Sequence, residues 1–127
     1  MQGIFYGSWN PYVAYNLSNR RNKMQLMYRR AGGTLTVFLS GELDQHSAAA
    51  VRTELEKILD DESLRRIVFD MGGVTFMDSS GIGVILGRYR RIAPRGGSMN
   101  ILNAKKNIER VLRMSGVYKL CTEGEEE

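Results

Sequence analysis

The stretch Val74–Arg91, VTFMDSSGIGVILGRYRR, constrains this chain more than any other. An apolar run passes through an acid and two serines into a glycine-punctuated segment. Asp78, Ser79 and Ser80 all suit a helix start, because a short side-chain oxygen can accept from the orphan N–H groups of the first turn. After them Ile82, Ile85, Leu86, Tyr89 and Ile92 recur at helical spacing, a stripe that must face a core. The pattern predicts a buried strand, a loop carrying two hydroxyls, and a helix whose positive end those hydroxyls occupy. Gly83 and Gly87 share one face of that helix, with Gly81 just before them. A glycine costs about 1 kcal/mol in a helix interior. Three of them point to a close backbone approach, to the sheet or to a partner.

The rest of the chain supplies the sheet for this helix to cover. Met24–Arg30 alternates as an edge strand does. Ala31-Gly32-Gly33 is a turn signal, and Thr34–Ser40 is rich in β-formers, so the two read as a hairpin. Ser47 to about Leu59 is a helix with Ser47 as candidate cap and Ala48, Val51, Leu55, Ile58 and Leu59 inside; Glu54 and Glu56 fall on its solvated side. Arg66–Met71 is a short buried strand, and Gly72-Gly73 a loop. Met99–Leu102 is a further strand. Lys105–Ser115 is a helix closed by Gly116 as a left-handed cap. Tyr118–Thr122 can be a last strand. The order ββαβαβαβ predicts an α/β fold of about five strands, mostly parallel after the first hairpin, with helices packed on the sheet.

Three segments follow from this pass. Residues 1–23 show no periodicity and read as a poorly ordered extension, although Tyr6, Trp9, Tyr12 and Tyr15 could dock on a partner. Residues 24–122 form the domain. Residues 123–127 are an acidic tail.

Charge and cysteine usage narrow the function. The net charge is +4, but five of the basic residues precede Ala31, where no acid occurs. The folded part is only mildly basic, which argues against direct nucleic-acid binding. Cys121 and His46 are the single residues of their kinds, too few for a zinc site, and no metal or cofactor is expected. A cytoplasmic setting fits the lone cysteine. No apolar run approaches the roughly 20 residues that cross a bilayer, and the N-terminal stretch does not read as a signal peptide.

Enzymatic use of the serines finds little support. A nucleophile needs a base in reach, and the only candidate is His46, with Asp44 behind it. The glycine two before the serine of a nucleophile elbow is missing. Ser80-Gly81-Ile82-Gly83 lacks the lysine of a phosphate loop. Modification fits better. A phosphoryl group on Ser79 adds roughly −1.5 to −2 charges, which a helix N-terminus tolerates or favours by about 0.3–1 kcal/mol. A partner docked over the spot would instead meet an unpaired charge beside Asp78. Physics alone leaves plain capping and a functional role equally open.

The stretch FMDSSGIGVILGRYR resembles the phosphorylation motif of the anti-sigma factor antagonists of the STAS family. LSGELDQH (Leu39–His46), RIVFDM (Arg66–Met71), MDSSG (Met77–Gly81), VILGRY (Val84–Tyr89) and RMSG (Arg113–Gly116) follow in family order. The resemblance covers about residues 24–120 and is greatest to antagonists of the anti-sigma F factor in spore-forming bacteria. It implies a single STAS domain and a non-enzymatic regulator of sporulation transcription. It implies that the unphosphorylated form binds an anti-sigma factor that is also a serine kinase, freeing the sigma factor. Phosphorylation of Ser79 then breaks the complex, and a serine phosphatase restores it. ATP and Mg²⁺ would sit on the kinase. Asp44, Asp78, Ser80, Gly81 and Gly83 map to the family's partner-binding positions around the switch. A role in general stress signalling, of the sigma-B kind, is the alternative. Residues 1–23 have no family counterpart. The family pattern also continues into a further helix where this chain has TEGEEE, so one sheet face is expected to be less covered.

Overall fold

Parity along the strands shows how the sheet is assembled. In the computed structural model, which describes the backbone of Gly3–Phe5 and residues 12–122, the strands lie side by side in chain order. They are β1 (Gly3–Phe5), β2 (Val13–Asn16), β3 (Met24–Ala31), β4 (Thr34–Leu43), β5 (Arg66–Met77) and β6 (Ser98–Leu102). β1 to β4 pair antiparallel, and β4, β5 and β6 pair parallel. The two-residue link between β3 and β4 is Gly32-Gly33, with φ of 59° and 79°. Both central residues of a tight hairpin turn need that sign, which glycine adopts without a Cβ clash.

The parallel links are the helices α1 (Ala48–Ile58) and α2 (Ser79–Ile92); α3 (Lys106–Ser115) follows β6. Met24 and Leu26 of β3, Leu35, Val37 and Leu39 of β4 and Ile67 and Phe69 of β5 alternate into one core. Val51 and Leu55 of α1 and Ile82, Val84, Ile85 and Ile92 of α2 close it. The parallel, helix-covered half is as the sequence predicts.

Several expectations need correction. Residues 12–23 are not an unstructured extension. β2 pairs with Gln25, Leu26, Met27 and Tyr28 of β3, and Leu17 is 2% exposed. β3 is therefore not an edge. The alternation in β2 is only four residues long, too short to announce itself in sequence. With these strands included, the sheet has three antiparallel pairings and two parallel ones. Tyr12 meets Phe38 edge-on and Tyr15 stacks on Tyr28, so both are used within the fold. Tyr6, Trp9 and the 123–127 tail lie outside the described residues.

Gly72-Gly73 is not a loop. β5 runs through it for 12 residues, with two register shifts against β4. Each shift inserts one extra residue and flips the inward parity, so the buried positions run Met71, Val74, Met77. At Gly73 a Cβ would lie 2.9 Å from the Ser40 side chain. The last expected strand is instead a 3₁₀ turn, Val117–Leu120. Gly116 at φ 82° swings the chain aside, and Thr122 N–H reaches back to Met99 O at 3.0 Å while Asn100 Nδ2 donates to Thr122 O at 2.8 Å. Glu54 is buried rather than solvated.

Candidate functional site

The C-terminal ends of β4 and β5 bring the predicted site residues together. Leu43 stands in register with Met77, so Asp44 and Asp78, the next residues, leave neighbouring strands side by side. Asp78 N–H donates to Leu43 O at 3.4 Å. Asp78 has extended backbone, φ −122° and ψ −167°, and is the cap of α2. Its Oδ1 accepts from Ser80 N–H at 2.8 Å and from Gly81 N–H at 3.4 Å. The acid thus takes the capping role that the sequence left shared among three residues.

Ser79 is the first helical residue and is exposed, and its hydroxyl has no hydrogen bond among the described residues. Ser80 is half-buried beside it. Plain capping therefore does not account for either hydroxyl. Phe76, the penultimate residue of β5, is a large apolar side chain that is 49% exposed.

The three glycines separate into two roles. At Gly81 a Cβ would sit 2.6 Å from Met77 Cγ and 2.7 Å from Leu43 O. It is a buried packing glycine that lets α2 lie against the end of β4. A Cβ at Gly83 or Gly87 would meet nothing within 4 Å. The close approach to the sheet is made by Gly81 alone; Gly83 leaves an exposed, side-chain-free patch one turn from Ser79.

The second wall is the turn Asp44–Ser47. Ser47 does not cap α1 with its side chain. Its hydroxyl donates to Glu42 O at 2.7 Å and accepts from Asp44 N–H at 3.1 Å. Asp44 Oδ1 accepts from His46 N–H at 2.8 Å and from Asn22 Nδ2 at 2.7 Å. His46 Nδ1 lies 3.7 Å from Asp44 Oδ1, and no hydrogen bond among the described residues joins the ring to Ser79. The structure thus gives Ser79 no assembled nucleophile–base pair.

The α2 helix is fixed on α1 by cations that the apolar stripe does not reveal. Arg88 is 6% exposed, and its Nε forms an ion pair with Glu56 Oε2 at 2.7 Å. Burial pulls its pKa down, and Glu56 opposes that shift. Arg91 bonds Glu56 and Asp60, and the Asp60 bond first of all raises its pKa. Arg95 donates to the carbonyl of Leu59, the C-cap of α1, at 2.6 Å, and to those of Leu64 and Asp61 in the following turn at 2.9 and 3.2 Å. A basic run closing the amphipathic helix, with acids on the preceding one, was the only available signal.

Among the described residues no group of three His, Cys, Asp or Glu side chains could hold a metal, and no helix is long and apolar enough to cross a membrane.

The STAS domain family matches residues 25–124. The anti-sigma F factor antagonist of Paenibacillus polymyxa is 39% identical over 76% of this chain and 83% of its own length. The anti-sigma-B factor antagonist of Bacillus subtilis (strain 168) is 29% identical over 65% of this chain and 74% of its own. Solved structures of the antagonist SpoIIAA in unphosphorylated and phosphorylated forms superimpose with TM-scores of 0.60 and 0.61, both at 27% identity. They cover 70% and 76% of this chain, and 82% and 88% of those chains.

Proposed function

We propose a function from a premise that these matches establish: the chain belongs to the STAS family and is an anti-sigma factor antagonist. In our reading its partner is an anti-sigma factor that is also a serine kinase, and Ser79 is the switch. The unphosphorylated end of the sheet, with Asp44, Asp78, Ser80 and Gly83 around Ser79, docks on that partner and displaces the sigma factor. The kinase then directs the Ser79 hydroxyl oxygen at the γ-phosphorus of its own ATP. The new O–P bond forms as the bond to ADP breaks, and the hydroxyl proton goes to a base on the kinase. A serine phosphatase restores the hydroxyl by hydrolysis: water attacks the phosphorus, the P–O bond to Ser79 breaks, and inorganic phosphate leaves.

One observation carries this reading. The exposed Ser79 hydroxyl sits at the helix start without being its cap, because Asp78 does the capping. A phosphate there leaves the cap intact and gains from the helix dipole, by about 0.3–1 kcal/mol. The docked partner loses instead. A partner that is acidic or close-packed over this spot must accept an unpaired dianion, and like-charge juxtaposition or lost packing costs several kcal/mol, with every 1.4 kcal/mol tenfold in affinity. The fold survives while the complex does not.

The test uses the anti-sigma F factor of Paenibacillus polymyxa with ATP and Mg²⁺, read by mass spectrometry. A single phosphate on Ser79 is expected. Ser79→Asp should lose binding and Ser79→Ala should keep it. Modification of another residue, or tight binding by Ser79→Asp, overturns the reading. The general stress alternative is separated by presenting a sigma-B-type anti-sigma factor in parallel; the 39% and 29% identities favour the sigma F partner.

A further inference from the structure

We propose that Leu17–Asn22, the loop entering β3, is a clamp that holds the Asp44–Ser47 turn in its docking conformation, with Asn22 as the positioning residue. The proposal rests on the reading that this turn is part of the docking surface.

The loop is itself internally hydrogen-bonded. Leu17 is 2% exposed, and its N–H donates to Met24 O at 2.8 Å. Asn19 Oδ1 accepts from the N–H groups of Arg21 and Asn22, at 2.8 and 3.0 Å. Ser18 Oγ accepts from Met24 N–H at 3.1 Å. From this base two amides reach the turn. Asn22 is 7% exposed, and its Nδ2 donates to Asp44 Oδ1 at 2.7 Å and to Glu42 O at 3.3 Å. Asn19 Nδ2 donates to His46 O at 2.9 Å. Glu42 N–H donates to Lys23 O at 2.9 Å, which ties the two segments at the backbone as well.

The consequence falls on one carboxylate. Asp44 Oδ1 takes both Asn22 and His46 N–H, so its plane is set, and Oδ2, which has no hydrogen bond among the described residues, is left for a partner's donor. Without Asn22 the carboxylate keeps only a local bond within its own turn. The turn then samples other shapes, and apparent affinity falls by the fraction that remains competent. The clamp precedes the segment matched by the STAS family, which starts at residue 25. It is thus built from residues in front of the family match.

Asn22→Leu removes both donors at similar volume. Hydrogen exchange at the amides of His46, Ser47 and Ala48 is compared with that at Ile67–Phe69, alongside calorimetric affinity for the same anti-sigma F factor. The expected result is about tenfold faster exchange in the turn, unchanged exchange in β5 and about tenfold weaker binding. In an Asp44→Ala background, Asn22→Leu should change binding less than about twofold, because it acts through that carboxylate. Asn22→Ser is the milder variant if the leucine chain does not fold. Unchanged exchange in the turn overturns the clamp. A loosened turn with unaltered affinity overturns its positioning role, as does an affinity loss that persists undiminished without Asp44. Should the wild-type chain bind no anti-sigma factor, the proposed function fails while the exchange comparison still decides the clamp.

Discussion

Asp78 Oδ1 accepts the Ser80 N–H at 2.8 Å, so the helix cap and the candidate phosphate acceptor are adjacent but separate residues. This division of labour separates the proposed switch from the fold. Asp78→Ala should cost about 1 kcal/mol, the usual loss of an N-cap. Ser79→Ala and Ser79→Asp should each stay within about 0.5 kcal/mol of wild type, as exposed substitutions do. Urea midpoints of the three variants check this. A Ser79→Ala loss as large as that of Asp78→Ala would mean that the serine carries the cap.

The glycines of α2 should respond in opposite directions. Gly81→Ala forces a methyl group to 2.7 Å from Leu43 O, backbone that cannot yield cheaply. We expect about 1–3 kcal/mol of destabilisation, the range for overpacking. Gly83→Ala meets open space and should gain up to about 1 kcal/mol of helix propensity. If Gly83 lies under the docked partner, the same stabilised variant should bind more weakly. Thermal melts paired with affinity measurements separate the two effects.

The ion pairs between α1 and α2 should differ by burial. Glu56→Ala strips the partner from Arg88, whose side chain is 8% exposed. The loss should be about 2–3 kcal/mol, below the fully buried range because Glu56 is itself 36% exposed. Asp60→Ala removes a carboxylate that is 76% exposed and should cost under about 1 kcal/mol. Equal losses at the two sites would contradict this ranking.

Alkaline pH should destabilise the chain. Burial raises the pKa of the Cys121 thiol and of the Tyr28 and Tyr118 phenols. A group raised on folding contributes its stability below its unfolded pKa and loses it as pH climbs through the folded value. The unfolded values are about 8.5 for the thiol and about 10 for the phenols. Urea midpoints should therefore show no loss from these groups up to about pH 8 and fall from about pH 8.5 upward. A midpoint that rose toward pH 10 would contradict the burial of these three groups.

Local pattern determined a great deal. Helical spacing from Ile82 to Ile92 placed α2, Gly116 stopped α3, and the Gly32-Gly33 pair made the hairpin, because each signal is settled by a residue and its near neighbours. The MDSSG motif placed two hydroxyls at the start of α2 for the same reason. Tertiary structure decided the rest. Whether Gly81 or Gly83 meets the sheet depends on where Leu43 O lies, and no spacing within α2 contains that distance. The two shifts in β5 exist only against β4. Glu54 reads as solvated in sequence and is buried in the fold, and Arg88 is buried where α2 meets Glu56 of α1. Asn22 is an ordinary polar residue until β3 carries it beside Asp44, 22 residues further on. Sequence encodes what one segment prefers; which groups face each other across strands and helices is set only when the chain closes its core, since burial and hydrogen-bond pairing are properties of pairs of segments.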